Sequence, residues 1–321
     1  MESITTNKKW GGQRPYFTII TPCYNRSTTI GRTIESVKRQ DFRDFEYIIV
    51  DDGSQDDLDS IVMPFLDKAD FPVMYLKKEN GGVHTARNAA VKRARGRMLV
   101  NIDSDDELLS HALSAFYHAW ESIPITERGQ YREVVARCCD EKGHEVGARF
   151  PQNINSMPWV KAIQACQDTH GEHVDCSVTK ILAENQFPEV EGVTFMTENI
   201  VWLKLYQRYK SWFINDIVRV YHLDGEDHLS TDLGHQRKTI QSCRNAMFES
   251  SYVLNHWDIY NGTFSYPKEM LRYSIMSFIL GRNHDQYHNR WKLDSMKDRF
   301  IHKLISLPSW VLSYVYEKKR M

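Results

Sequence analysis

The sequence predicts an α/β protein, a mainly parallel sheet flanked by helices and followed by a helical C-terminal region. Three observations predict it. Over the first 110 residues, short β-branched runs alternate with segments of helical period. One of the runs, Phe45–Val50, is nearly continuous in apolar residues, as a strand covered on both faces must be. From Gln236 onward the chain reads as helical and aromatic. No linker or repeat marks a boundary, so the division falls softly near residue 235: a first domain over 1–235 and a helical extension over 236–321.

Taken in order, Tyr16–Thr21 is β-branched and aromatic and reads as a strand. Thr28–Gln40 places Ile30, Ile34 and Val37 on one helical face, with Ser27 or Thr28 as cap. After the Phe45–Val50 strand, Asp56–Ala69 can form a helix that Pro64 would kink or end. Val73–Leu76 is a third strand, Thr85–Ala94 a short helix, and Arg97–Ile102 a fourth strand. Glu107–Ile123 gives a helix burying Leu108, Leu109, Leu113, Phe116 and Trp120. In the middle third, "VVARCCDEKGHEVGARF" reads as a hairpin turning at "EKG". Asn185–Thr197 is loop-rich, "MTENIVWLKLYQRY" enters a helix, and "WFINDIVRVYHL" is a strand pair or one bent strand.

Composition excludes several function classes. A formal net charge of −1 over 321 residues gives no basic surface for nucleic acid. The six cysteines contain no CxxC pair and read as reduced thiols of a cytoplasmic protein. The polar start, "MESITTNKKWGGQRP", has no apolar signal core, and no stretch reaches the ~18 apolar residues of a membrane span. "HGEHVDC" sets His170, His173 and Cys176 at helical spacing. No fourth ligand stands at a familiar zinc spacing, so a zinc site is not expected.

The chemistry concentrates in acids at strand ends. "IIVDDGSQDD" places Asp51 and Asp52 after one strand, and "VNIDSDDEL" places Asp103, Asp105 and Asp106 after another. In doubly wound sheets, ligands bind outside the carboxyl ends of the strands. Alternating carboxylates such as Asp103-x-Asp105 suit a hard cation, Mg²⁺ or Mn²⁺, whose shell is completed by substrate phosphates. The alternative is a solvated acidic turn heading a helix, where acids are also favoured. Gly81–Gly82 permits a close backbone approach. Arg87, one turn further on, could meet a diphosphate or pair with an acid. No GxGxxG and no GxxxxGK[ST] occurs, which disfavours dinucleotide and P-loop chemistry.

Jointly, "ITPCYNR", "TIESVKRQDFRDFEYIIVDDGSQDD" and "NGGVHTARNAAVKRARGRMLVNIDSDDEL" resemble family-2 glycosyltransferases of the GT-A fold. The resemblance is dense from about Phe17 to Leu109. It thins beyond, although "ENIVWLKLYQRYKSWFINDIVRVYH" looks like the second-half segment of bacterial members that build surface polysaccharides. It implies a nucleotide-sugar donor, Mn²⁺ or Mg²⁺, a glycan or lipid-linked acceptor, and inversion. Pro22 and Tyr24 fall where the family lines its nucleobase pocket. Asp52 matches the acid that meets a uracil-type N–H, Asp103 the acid near ribose and metal, and Asp105 the metal ligand. Arg87 and Asn88 match the "ARN" after the glycine turn. The family often carries a Glu-Asp pair at a helix start, its aspartate acting as base. Here the pair is Glu198-Asn199, which leaves Glu198 as the catalytic candidate, with Asp216, Asp224 and Asp227 behind it. Some members bring a late histidine to the metal or diphosphate, and His222 and His228 stand in that region. The departure at Asn199 leaves open a silent nucleotide-sugar-binding protein. A metal-dependent nucleotidyltransferase is the other alternative, disfavoured because "TPCYNRS" occupies the place of a basic phosphate loop.

The tail "DRFIHKLISLPSWVLSYVYEKKRM" mixes apolar and aromatic residues with cations. Such a stretch can lie peripherally on the inner face of a membrane, or pack on the core or on another subunit, with Pro308 breaking it. The oligomeric state is not readable.

Overall fold

The computed structural model describes residues 2–151, 161, 171–222, 239–260 and 264–318. The centre of the fold is a block of four parallel strands: β2 (Phe17–Cys23), β3 (Phe45–Asp51), β4 (Val73–Lys77) and β5 (Met98–Asn101). Helices α1 (Ile30–Lys38), α2 (Leu58–Lys68) and α3 (Val83–Val91) connect them. The spatial order is β4-β3-β2-β5. The chain therefore steps from β2 outward to β4, then crosses back to lay β5 on the other side of β2. That reversal creates the kind of crevice in which α/β sheets bind ligands.

On the far side the sheet becomes mixed. β9 (His173–Val178) runs antiparallel to β5 and to β7 (Tyr131–Asp140), and β10 (Lys210–Tyr221) runs parallel to β7. Short strands finish the edges: β1 (Ser3–Thr6) on β4, β6 (Glu107–Leu108) on β10, and β8 (Glu145–Val146) on β7. The β7–β8 hairpin turns where "EKG" predicts, with Gly143 at φ +81°. "WFINDIVRVYHL" is one long strand whose register slips at bulges, which accounts for its bent reading. The "HVDC" segment is strand, not helix, so His173 and Cys176 point to opposite faces and share no ligand geometry.

Three further details differ from the sequence reading. The N-cap position of α1 is Thr29 rather than Ser27 or Thr28, and its hydroxyl makes no capping bond. α2 runs through Pro64, which lies on the exposed side. The Ser60 carbonyl that loses its helical partner there belongs to an exposed residue, so water can satisfy it. The stretch from Glu107 is not one helix. Residues 107–108 pair with Arg219 and Val220, the Leu109 N–H donates to the Val218 carbonyl at 2.8 Å, and α4 begins only at Ala112 (Ala112–Ser122). Leu108 is buried as expected, but by the sheet.

Packing follows the periodicities. α1 buries Ile30, Ile34 and Val37, and α4 buries Leu113, Phe116 and Trp120, in one core with the inward faces of β2, β3 and β5. A buried carboxylate clamps the opposite face of the sheet near the start of β2 and β3. Glu46 accepts the Thr18 hydroxyl at 2.8 Å, the Arg95 N–H at 2.6 Å and the Arg95 Nε at 2.7 Å. Gly96 follows so closely that a Cβ there would lie 2.4 Å from the Thr18 nitrogen.

The chain divides into two compact units, Met1–Phe187 with Leu205–Gly225, and Pro188–Lys204 with Glu226–Met321. The first holds the sheet and a short helix, α5 (Thr179–Glu184). The second is helical: α7 (Ile240–Asn255), α8 (Trp257–Tyr260), α9 (Tyr266–Arg282), α10 (Met296–Leu304) and α11 (Ser306–Lys318). It also takes in the segment that leads into α6 (Asn199–Tyr206). A Thr239–Ser242 capping box starts α7, and Ser250 on α7 donates to Glu269 on α9 at 2.6 Å.

Glu46→Gln removes the charge that Arg95 faces while keeping the shape. The expected outcome is a loss of about 3 kcal/mol in urea unfolding, the cost of breaking a buried pair. A loss below about 0.5 kcal/mol would mean that the clamp is not energetically important.

Candidate active site

The carboxyl ends of β3, β2 and β5 lie side by side, so the loops that follow them share one edge of the sheet. Neighbouring strands are about 4.8 Å apart, which sets the outer two ends ~10 Å from each other across β2. Pro22 is the buried penultimate residue of β2, and Tyr24 follows it, 46% exposed. The first two loops are tied together. The Asn25 N–H donates to Ser54 Oγ at 3.0 Å, the Gln55 N–H to Asn25 Oδ1 at 2.8 Å, and the Ser27 N–H to Asp56 Oδ2 at 2.7 Å.

Within "IIVDDGS" the two aspartates are consumed by structure. Asp51 accepts the Ser54 N–H at 2.7 Å and the Tyr75 hydroxyl at 3.3 Å. Asp52 is almost fully buried; it accepts the Gly81 N–H at 3.0 Å, the Gly82 N–H at 2.7 Å and the Lys78 ammonium at 2.5 Å. The glycine turn is thus shaped around Asp52. Gly53, at φ +80°, lets the loop pass so near Asn80 that a Cβ would sit 2.7 Å from its nitrogen. The carboxylate read as a base-recognition group is therefore also the anchor of the Gly81–Gly82 loop.

The second cluster follows β5 in a turn closed by the Asp106 N–H donating to the Asp103 carbonyl at 3.2 Å. α1 holds the turn from outside: the Thr33 hydroxyl donates to the Asp106 carbonyl at 2.8 Å and Arg32 Nε to the Asp105 carbonyl at 2.7 Å. These bonds take backbone oxygens and leave the carboxylates of Asp103 and Asp105 half-buried at the surface of the turn. Arg87 on α3 reaches Asp103 at 3.6 Å, so the salt-bridge reading of Arg87 is realised. Its neighbour Asn88 does different work, exchanging two hydrogen bonds with the Phe187 backbone at 2.9 and 3.0 Å.

Asp106 is buried and serves the fold. It pairs with Arg219 at 2.7 Å and accepts the His222 N–H at 3.0 Å. Burial pushes its carboxyl up to about 7, against the pull of Arg219. Burial works to lower the Arg219 pKa in turn, but Asp106 beside it wins and raises it. This pairing brings His222 to the turn. Its ring lies 3.0 Å from Glu107 and 3.6 Å from Glu141.

Among the described residues no three His, Cys, Asp or Glu side chains form a ready-made metal cage. A hard cation bound through one or two carboxylates and substrate phosphates does not require one. Asp103 and Asp105 supply that kind of oxygen donor, on a turn held rigid by α1.

Glu198 stands exposed at the head of α6; its carbonyl accepts the Trp202 N–H at 2.9 Å and its carboxylate the Trp202 indole N–H at 3.1 Å. Thr197 does not cap the helix with its hydroxyl, which donates to Glu249 on α7. Glu249 is buried and also holds Arg272 at 2.8 Å. Asn245 accepts the Thr194 N–H at 3.1 Å, so α7 fixes the whole approach to Glu198. Asp216 is exposed on β10, while Asp224, Asp227 and His228 lie outside the described residues.

Sequence reasoning missed Lys78, Arg219 and Glu249. Arg219 carried a signal: a lone cation in the apolar run "IVRVY" demands a buried acid partner. Lys78 and Glu249 carried none.

A family model described as Glycosyl transferase family 2 matches residues 18–126, the span containing the β2, β3 and β5 loops. The GalNAc(5)-diNAcBac-PP-undecaprenol beta-1,3-glucosyltransferase of Campylobacter jejuni is 28% identical over 225 residues, 67% of each chain. The poly(ribitol-phosphate) beta-N-acetylglucosaminyltransferase TarS of Staphylococcus aureus is 35% identical over 99 residues, 30% of this chain but 17% of TarS. An uncharacterized glycosyltransferase of Rickettsia felis is 33% identical over 150 residues, 44% of this chain and 24% of that one. The chain thus spans a quarter or less of those two longer relatives. In structure, it is similar to TarS residues 1–349 crystallised with UDP-GlcNAc, at a TM-score of 0.56 and 16% identity, covering 94% of this chain and 92% of that one. That likeness shows the GT-A-like fold. The family match lies on the very strands that end in these carboxylates, and on that match and these relatives the chain is a glycosyltransferase that resembles glycosyl transferase family 2 over residues 18–126.

Proposed function

We propose that the protein moves a sugar from a nucleotide sugar, a uridine diphosphate sugar in the first instance, to a hydroxyl of a glycan or lipid-linked acceptor. Inversion at the anomeric carbon and a bound Mg²⁺ or Mn²⁺ are part of the reading. The observation that carries it is the convergence of Tyr24, Asp52, Asp103 and Asp105 on one edge at the point where strand order reverses. Two names support it. The C. jejuni relative is named for a polyprenyl-diphosphate-linked acceptor, and the structural neighbour holds UDP-GlcNAc.

Each residue has a part. Tyr24 offers an exposed ring for the base to stack against, with Pro22 behind it in the strand. Asp52 fixes the Gly81–Gly82 turn that would border the base. Arg87 balances Asp103 and can turn toward a diphosphate when one enters. Asp103 and Asp105 would hold the cation, which when bound offsets the charge that develops on the leaving diphosphate. His222, steadied by Glu107, is a donor for a phosphate oxygen or a ligand for the cation. Glu198 takes the acceptor proton as the new bond forms. Holding donor and acceptor in line removes part of the entropic barrier beforehand.

One observation favours a second reading. Asn199 occupies the place of the family's base, so a protein that binds nucleotide sugars without transferring them is the alternative.

Four outcomes test the proposal. In a thermal-shift screen, uridine diphosphate sugars raise the melting temperature more with Mn²⁺ than without, because a ligand of the native state alone stabilises by its affinity. Asp105→Asn abolishes the Mn²⁺-dependent increment and leaves the unliganded melting temperature within about 2 °C. A metal-independent shift would remove the cation from the reading. Asp52→Asn, by contrast, destabilises the unliganded protein by about 2–3 kcal/mol in urea unfolding, since it strands Lys78 and one glycine N–H. Glu198→Gln keeps nucleotide-sugar binding and lowers kcat by on the order of 100-fold or more, the ordinary worth of a general base. Transfer at the parent rate would rule Glu198 out. Binding without transfer in the parent protein would favour the silent reading.

A further inference from the structure

The last two helices are packed inside out. α11 turns its small polar residues inward: Ser309 and Ser313 are fully buried, and Arg282 of α9 donates to Ser313 Oγ at 2.6 Å. Its large apolar residues face outward, with Leu307 70% exposed and Trp310, Val311 and Val315 each near half. α10 continues the same face through Phe300 and Leu304, at 61% and 65% exposure. A water-facing helix in a globular protein shows the opposite pattern. Pro308 does not break the segment; it sits in the first turn of α11, where a missing N–H costs nothing.

At Ser309 this orientation is not imposed by polar satisfaction. The Ser309 hydroxyl is buried with no hydrogen-bond partner among the described residues. Serines at the contact let α11 approach α9 closely, and that approach commits the opposite, apolar face to the outside. So many large apolar side chains in consecutive turns exceed what single-chain soluble proteins leave uncovered.

The charge around the face identifies what covers it. Lys297, Arg299 and Lys303 on α10 are all exposed, while the acid of that helix, Asp298, is buried against the Tyr266 hydroxyl. A chain of net charge −1 has thus gathered cations at its apolar face. In a two-fold contact with a second copy, the same patch would meet itself and set those cations against each other. An anionic lipid surface complements them, while the apolar residues enter the acyl boundary. Trp310 and Tyr314, packed edge to face at 4.9 Å, are the amphipathic rings that settle at that depth.

We infer that α10 and α11 form a docking surface for an anionic lipid bilayer, lying in its interface without crossing it. No helix among the described residues is long and apolar enough to cross a membrane. The inference rests on the face alone and does not depend on sugar transfer.

The full chain is tested by co-sedimentation with phosphatidylcholine vesicles, with and without phosphatidylglycerol. It pellets with the mixed vesicles, and Lys297→Glu/Lys303→Glu or Leu307→Ser/Val311→Ser lowers the bound fraction about tenfold or more. Nucleotide binding stays unchanged, which separates this result from any failure at the candidate active site. On the parent protein, amide exchange across residues 300–315 slows when mixed vesicles are added, so the test survives a variant that fails to fold. Parent protein that stays in the supernatant overturns the inference. So does a concentration-dependent dimer that Leu307→Ser/Val311→Ser dissociates, because a second copy would then be the cover.

Discussion

The structure depends on keeping like charges together at the ends of parallel strands. Two bursts of carboxylates sit at strand ends on either side of β2, where each would repel the others in a medium poorer than water. The fold resolves this by dividing them. Asp51, Asp52 and Asp106 are buried, and each receives specific donors: a loop N–H and a tyrosine for the first, two glycine N–H groups and Lys78 for the second, Arg219 and the His222 N–H for the third. Asp103 and Asp105 remain half-exposed on the same edge. The acids that looked uniform in sequence therefore separate into three that build the loops and two that those loops present. Since the presenting turn is held through its carbonyls by Thr33 and Arg32, its carboxylates can change partners without the turn coming apart.

How far the sequence disclosed this follows from the range of each interaction. The strands and helices from Phe17 to Asn101 were legible because their signals are local: apolar runs for β2 to β5, and Ile30, Ile34 and Val37 for α1. The place of Glu107–Leu108 was not, because pairing with β10 is decided more than a hundred residues later, and a two-residue strand has no period of its own. The capture of Asp52 by Lys78 was hidden for a similar reason. Nothing near Lys78 in the sequence marks it as different from Lys77, yet one ammonium reaches Asp52 and the other Asp59. Arg219 could have been found, since an arginine in a buried strand must have an acid to meet.

The second unit shows how the residue at a helix start is held. Side chains one residue apart at a helix start point about 100° apart, so a carboxylate at position 198 is not equivalent to one at 199. Glu198, however, precedes the regular turns and is longer by a methylene than aspartate. Its approach is fixed by α7 through Asn245 and Glu249, and its resting direction by the Trp202 indole. A carboxylate held this way has a defined position without belonging to the helix that follows. The Arg272–Glu249–Thr197 chain, with Glu249 buried at its centre, ties the peptide before Glu198 to two long helices. That is the kind of support that the proposed role of Glu198 as base would require.

The same economy governs the C-terminal helices. A helix has one face to bury, and α11 has spent it on serines. Small residues at a helix contact draw two backbones close, and here Ser309 and Ser313 on the inner side leave Leu307 and Val311 outside. Arg282 reinforces this by holding Ser313 and lying 3.8 Å from the centre of the Tyr314 ring. The apolar face is thus fixed by its own packing rather than left over from it, and its exposure is the constraint that any account of what covers these two helices has to satisfy.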